Sequence, residues 1–151
     1  MLQTVFLFAV LIIAVIYDFW KCRIPNWLVV LGYIVGIAGV LWQDKLWYFR
    51  LTDSLLMLLI LYPLFLFGAF GGGDVKLLLC IVAFVGFEEG VCISIFAVII
   101  GAVISVIKII YFLCGKKMFQ FSRLYIHFSL PIFLAASFSV FHGGFQVWNI
   151  F

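Results

Sequence analysis

The chain has few charged residues. Only 10% of its 151 residues are Asp, Glu, Lys or Arg, whereas an ordinary soluble domain carries about 25%. Nine basic and 6 acidic residues give a net charge of +3, which is too little for a surface that binds a polyanion. We therefore expect no nucleic-acid partner.

The sequence also lacks the residue spacings that bind metals. Its 4 cysteines form no C-x-x-C pair, which disfavours a zinc ribbon and a thioredoxin-like motif. We interpret them as small apolar residues buried in the protein or in lipid. Because no cluster of His, Cys or Glu offers a ligand set, we expect neither a metal nor another cofactor.

Apolar residues, in contrast, are abundant. They make up 68% of the chain, with 19 Phe and a mean hydropathy of +1.37, which is more than one core of this size encloses. Lipid must therefore be the solvent, and in lipid the backbone has to satisfy its own hydrogen bonds as helices. At about 20 residues per span, we predict one all-α domain over residues 1–151, a polytopic membrane bundle of about six helices. Six spans leave no residues for a soluble domain, which excludes a cytosolic enzyme.

Polar residues divide the apolar sequence into six segments. We predict helices over residues 1–17, 27–42, 54–70, 75–87 and 91–113, and a sixth from Phe128 past Phe141. The first is interpreted as a retained span rather than a signal peptide, because neither a basic start nor an A-x-A cleavage pattern accompanies it. The fourth would reach only about 20 Å across a hydrocarbon layer of about 30 Å.

The basic residues predict the orientation in the membrane. With the N-terminus outside, the inner side carries six loop cations and the outer side two, which agrees with the positive-inside rule. The inner set is Lys21, Arg23, Lys76, Lys116, Lys117 and Arg123, and the outer set is Lys45 and Arg50. We therefore predict a multi-pass protein of the cytoplasmic (inner) membrane. Of the acidic residues, only Asp18 and Asp74 then lie on the cytoplasmic side, whereas Asp44, Asp53, Glu88 and Glu89 lie outside.

Asp18 and Asp74 are the candidate catalytic residues. One ends the first span and the other begins the fourth, so both lie at the same membrane depth and can meet. Two neighbouring carboxylates do not both ionise easily, so one keeps a proton near neutral pH. A base and an acid result, which is what peptide hydrolysis through an activated water requires. Gly71, Gly72 and Gly73 lack a Cβ, so that another backbone can approach Asp74 in a wet cleft.

Each aspartate also has a structural interpretation. Asp74 is a possible N-cap of the fourth helix. Asp18 is a possible interfacial partner of Lys21 or Arg23, with Pro25 starting the next helix.

The other polar residues are weaker candidates. Lys76 is interpreted as marking the membrane edge, with a role in biasing the charge of Asp74 left open. Glu88 and Glu89 are predicted to form a solvated outer turn. His127 and His142 are predicted to lie at opposite membrane faces, as interfacial or hydrogen-bonded residues of the bundle.

Two segments resemble the type IV prepilin peptidases. Residues 17–26 read Tyr-Asp-Phe-Trp-Lys-Cys-Arg-Ile-Pro-Asn and are similar to the first aspartate region of that family, including Pro25 and Asn26. Residues 71–78 read Gly-Gly-Gly-Asp-Val-Lys-Leu-Leu and resemble the second region, the G-x-G-D motif. The two motifs occur in the family's order, after the first span and before the fourth.

The resemblance implies a membrane aspartic endopeptidase of the GxGD class. Such enzymes cleave the basic leader from type IV pilin and pseudopilin precursors at the cytoplasmic face, usually after a glycine. It implies that Asp18 and Asp74 are the catalytic pair and that Gly71 and Gly73 are the motif glycines. The partners implied are a precursor protein as substrate and the lipid bilayer, and the oligomeric state stays open.

The sequence differs from the larger bacterial members of that family in one respect. Those members carry an N-terminal region with a cysteine-bearing loop that is linked to pilin methylation. Because this sequence opens on the first span, we expect the compact, peptidase-only type, without methyltransferase activity.

Two other functions fit the same residues. A small transporter or a pilus-assembly subunit would use Asp18 and Asp74 as ion-relay groups, with the glycines as a broken-helix binding site. A presenilin-like protease would cleave inside membrane spans rather than at a basic leader, and the Ile-Pro-Asn element argues against it.

Overall fold

The computed structural model describes residues 2–41, 47–114 and 128–141, and the regular secondary structure of this part of the chain is all helical. The helices are α1 (Leu2–Lys21), α2 (Asn26–Leu41), α3 (Trp47–Leu66), α4 (Gly72–Val85), α5 (Phe87–Cys114) and α6 (Ser129–Phe141). The predicted fold class, an all-α helix bundle, is confirmed.

Helices of unequal length make up the bundle. Three are long and apolar enough to cross a membrane, over Gln3–Lys21, Tyr48–Leu66 and Phe87–Tyr111. Asn26–Leu41 and Ser129–Phe141 are apolar but shorter. With 14 residues, α4 reaches only about 21 Å. The molecule is a membrane protein whose helices differ in length, with the short α4 among them.

The short helix α4 lies at the centre of the bundle. It contacts each of the other five described helices, and nine of its residues are buried. Helix α2 packs on it through Gly32 and Gly36, whose missing side chains leave room for Cys80 and Ala83. A Cβ on Gly36 would lie only 3.1 Å from the backbone of Ala83. This small-residue contact brings the two backbones close together, as is common where helices pack in membranes.

The predicted bounds of the third helix were wrong. Helix α3 begins at Trp47 and ends at Leu66, whereas the sequence predicted 54–70. Arg50 and Asp53 therefore lie inside the helix rather than in an outer loop, and they form an ion pair of 3.6 Å. Because the two charges offset each other one helical turn apart, they do not interrupt the helix.

A Schellman motif explains why α3 ends early. Gly68 has a φ of 74°, a left-handed conformation that glycine adopts without strain. Its N–H donates to the carbonyl of Phe65, and the N–H of Ala69 donates to the carbonyl of Leu64, both at 2.9 Å. These two bonds satisfy the last carbonyls of the helix, and the chain then turns toward Gly71.

The predicted solvated turn at Glu88 and Glu89 was also wrong. Gly86, with a φ of 95°, is the single residue between α4 and α5, so both glutamates lie in the first turn of α5. Acidic side chains are favoured there by the helix dipole. Glu89 also accepts a hydrogen bond of 3.0 Å from the hydroxyl of Ser139. Seven polar residues used in the sequence analysis lie outside the described residues: Asp44, Lys45, Lys116, Lys117, Arg123, His127 and His142.

Candidate active site

Asp18 and Asp74 line the same cavity. It has a volume of about 520 Å³ and lies where α1 ends and α4 begins. Its walls come from residues within the two segments 18–26 and 71–76. All eight candidate residues of the sequence analysis are among them, namely Asp18, Pro25, Asn26, Gly71, Gly72, Gly73, Asp74 and Lys76. Their placement together is a finding, and their roles stay predictions.

The last turn of α1 positions Asp18. The helix continues to Lys21, and the N–H of Cys22 donates to the Asp18 carbonyl at 2.9 Å. Cys22 has a φ of 49°, so a residue in the left-handed conformation ends the helix. The chain then turns through Pro25 into α2. Asp18 is only 6% exposed, and its side chain lies inside the bundle at the edge of the cavity.

Ser129 is a partner of Asp18 that the sequence analysis missed. Its hydroxyl donates to Asp18 Oδ2 at 2.6 Å, and the serine itself is 0% exposed. It is the first residue of α6. The two residues are 111 positions apart, and no motif links them. The one available signal is the serine itself, because a hydroxyl buried in a membrane bundle requires a partner.

Asp74 lies in the first turn of α4. Gly71 is the N-cap of this helix, so the interpretation of Asp74 as the N-cap is wrong. Asp74 is the third helical residue, and its Oδ2 accepts a hydrogen bond of 3.3 Å from the N–H of Gly71. The negative charge is favoured at this end of the helix dipole. Asp74 is partly exposed, and it lines the cavity together with the segment that follows α1.

Gly71 is required by this arrangement. A Cβ at position 71 would lie 2.9 Å from Asp74 Oδ2, in the place where the carboxylate approaches the backbone. A Cβ on Gly72 or Gly73 would instead make ordinary contacts of 3.5 Å with Phe65 and 3.6 Å with Ile24. Packing within the chain therefore explains the glycine at position 71 but not those at 72 and 73.

Lys76 connects two sides of the cavity. Its ammonium donates to the side-chain oxygen of Asn26 at 2.9 Å, and both residues are exposed. The bond joins the start of α2 to the first turn of α4. It therefore helps to hold the segment after α1 next to the glycine-rich turn.

This arrangement supplies two carboxylates and a space beside them. Asp18 and Asp74 both line the cavity, and two carboxyl groups held close together ionise less readily as a pair than singly. Among the described residues, no group of three or more His, Cys, Asp or Glu side chains lies close enough together to hold a metal ion. The chemistry that the residues present can support is acid–base catalysis.

Comparison with protein families gives one match. The family model of the type IV leader peptidase family matches residues 5–106, which is about two thirds of the chain and includes both aspartates. Comparison with curated proteins and with solved structures returned no match. Ser129 lies beyond the matched residues.

Proposed function

The chain belongs to the type IV leader peptidase family, and from this premise we propose that it is an aspartic endopeptidase that removes the basic leader of type IV prepilin-like precursors. The observation that carries the proposal is the shared cavity, which both Asp18 from α1 and Asp74 from α4 line. Two carboxylates beside one cavity can supply the base and the acid that hydrolysis of an amide through an activated water requires.

The mechanism needs one protonated and one ionised carboxyl group. The ionised group takes a proton from a water molecule, and the water oxygen attacks the carbonyl carbon of the scissile peptide bond. The protonated group then donates its proton to the nitrogen as the C–N bond breaks. The leader gains a carboxyl terminus, whose proton passes to the new amino terminus of the mature protein. The aspartate pair again holds a single proton, the one taken from the water.

The substrate class suits a site at the end of a membrane bundle. A prepilin-like precursor is an apolar helix with a positively charged leader, so it can lie in the bilayer beside the enzyme. Attack requires extended backbone at the scissile bond, and a glycine before the cut eases local unwinding. Gly72 and Gly73, whose side-chain positions are open to ordinary contact, leave space for that backbone.

We propose that the cavity faces the cytoplasm and that the protein lies in the inner membrane. Lys21, Arg23 and Lys76 cluster at the cavity end of the bundle, whereas Arg50 lies toward the other end, in α3. The positive-inside rule then supports an inner location for the cavity and an outer one for the N-terminus. Basic leaders of inner-membrane precursors are found on that same side.

Substitution of each aspartate tests the function. Asp18→Asn and Asp74→Asn keep the size and hydrogen-bonding capacity of the side chain but remove its charge and its proton. Each variant is co-expressed with a leader-bearing prepilin, and precursor and mature forms are separated by immunoblot. We expect only the precursor in both variants.

The matched control is Glu88→Gln. Glu88 is an exposed carboxylate at the other end of α4, so the same loss of charge there leaves cleavage intact. Mature pilin in either aspartate variant would contradict the peptidase assignment and favour the ion-relay alternative.

A further inference from the structure

The contact between Ser129 and Asp18 identifies a third helix in the site. We propose that Ser129 is a positioning residue for catalysis, whose hydroxyl holds the Asp18 carboxylate in its working orientation. The inference rests on the proposed peptidase function. It adds α6 to the two helices that carry the aspartates, and it assigns a role to a residue outside the part of the chain that matches the family.

Ser129 and three serines inside helices satisfy their hydroxyls in different ways. The hydroxyls of Ser94, Ser105 and Ser137 each donate to the backbone carbonyl four residues earlier in the same helix. That is the usual way in which a serine satisfies itself inside a helix. Ser129 donates instead to a side chain of another helix, 111 residues away. Its position therefore serves Asp18 rather than its own backbone.

The geometry of the bond is that of a strong interaction. A separation of 2.6 Å is in the range of hydroxyl–carboxylate bonds, about 2.5–2.7 Å, which are stronger than neutral ones. Both groups are buried, so water competes little for either of them. Removing the hydroxyl would leave Oδ2 without this donor and would allow the carboxylate to turn away from the cavity.

The start of α6 is firmly held. Pro131 and Ile132 are fully buried, and the helix packs against both α1 and α5. The proline also restricts the backbone in the first turn. A hydroxyl on such a fixed turn is a rigid support for a catalytic side chain, which must be held to a fraction of an ångström.

The burial of Ser129 distinguishes a positioning role from a role in substrate binding. Because Ser129 is 0% exposed, it does not touch a bound precursor. Loss of its hydroxyl should therefore change kcat through Asp18 and leave KM nearly unchanged. A displacement of a catalytic group by about 1 Å lowers the rate by on the order of 100-fold, which sets the scale of the expected effect.

The kinetic test compares three variants of the full chain, purified in detergent and assayed with a leader-bearing prepilin. Ser129→Ala should lower kcat by between about 10-fold and 100-fold with little change in KM. Ser129→Thr, which keeps the hydroxyl, should recover most of the loss. Ser139→Ala is the matched control, because that serine lies on the same helix and donates to Glu89 at its other end. It should keep the parent kcat.

Two kinetic results would overturn the inference. One is an unchanged kcat for Ser129→Ala. The other is an equal loss in Ser129→Ala and Ser139→Ala, which would indicate general weakening of α6.

A double-mutant cycle on thermal stability gives a second measurement that does not depend on activity. Ser129→Ala is made in the parent and in an Asp18→Ala background, and Tm is recorded for each detergent-solubilised chain. If the hydroxyl acts through the carboxylate, the loss of Tm in the parent exceeds that in the background. Equal losses in both would overturn the inference, even where the threonine variant fails to fold.

The cycle also separates the two proposals. One outcome is that Ser129 and Asp18 are coupled while the aspartate variants still cleave the precursor. The contact would then be supported and the peptidase assignment rejected. The other outcome is that cleavage depends on both aspartates but Ser129 and Asp18 are not coupled. The peptidase assignment would then be supported and the positioning role of Ser129 rejected.

Discussion

The charged residues near the two ends of α4 are arranged in opposite ways. At its C-terminal end, the guanidinium of Arg50 packs against Gly86 and pairs with Asp53 at 3.6 Å. At its N-terminal end, Asp74 faces a cavity that also contains Asp18. One end pairs opposite charges within the protein, whereas the other brings like charges together beside an open space.

The difference separates charges that build the fold from charges available for chemistry. A paired and partly buried ion pair lowers the cost of a charge in the membrane, but it leaves no proton to transfer. Two carboxylates on one cavity repel each other, and that arrangement is unfavourable for stability. We expect substitutions at the C-terminal end to change stability and substitutions at the N-terminal end to change activity.

The largest contrast should come from the acidic residues. Asp74→Asn is expected to lower cleavage by at least about 1000-fold, as loss of an essential catalytic group does, with little loss of stability. Asp53→Asn should keep cleavage near the parent level, because its partner is a structural arginine. Initial rates and Tm measured on both purified variants check the contrast, and comparable rate losses would remove it.

The glycines at the two ends provide the next contrast. Gly86→Ala should destabilise the chain by more than about 1 kcal/mol, since its φ of 95° is strained for alanine and the new Cβ would overlap Arg50. Gly73→Ala should change the unfolding free energy by less than about 0.5 kcal/mol, because its Cβ fits beside Ile24.

Cleavage by the Gly73→Ala chain then tests the role of that glycine. If the substrate backbone passes there, the well-folded variant cleaves slowly, mainly through a raised KM. Parent kinetics in this variant would show that the glycine is not needed for substrate approach.

Gly71→Ala should have an intermediate effect. The added Cβ would lie 2.9 Å from Asp74 Oδ2 and would push the carboxylate out of place. We expect a fall in kcat of between about 10-fold and 100-fold, whereas Gly72→Ala, the neighbouring control, should keep the parent kcat and change only KM. Equal rates for the two alanine variants would argue against a fixed position for Asp74.

The smallest effect should come from the bond between Lys76 and Asn26. Both side chains are exposed, and an exposed polar pair contributes up to about 1 kcal/mol. Lys76→Met and Asn26→Ala should each lower cleavage only a few-fold, and the double variant should lose no more than either single one. Additive losses in kcat/KM would indicate separate roles for the two residues.

The sequence predicted that Asp18 and Asp74 lie at one end of the bundle, but it did not predict the contact that Ser129 makes with Asp18. Alternating spans and a glycine run before Asp74 were enough to bring both aspartates to one end, because helices in a bundle reverse direction at each loop. The contact of Ser129 with Asp18 depends on how α6 packs against α1, and no local pattern encodes that packing.

The errors in helix bounds have a related cause. Charged residues were interpreted as ends of spans, yet Arg50 and Asp53 offset each other one turn apart inside α3. Glu88 and Glu89 were interpreted as a turn, yet Gly86 alone makes the reversal and the glutamates begin α5. In each case a partner or a single glycine, which hydropathy does not detect, decided where the helix begins.

The short length of α4 bears on the depth of the cavity in the bilayer. Its 14 residues reach about 21 Å, roughly 9 Å less than the hydrocarbon thickness of a typical membrane. Gly86 is the single residue between α4 and α5. This connection is too short to allow α4 to shift toward the near membrane surface. Under the proposed peptidase function, the cleavage point of a precursor would have to lie below the headgroups, and membranes with shorter acyl chains would bring it closer to the surface.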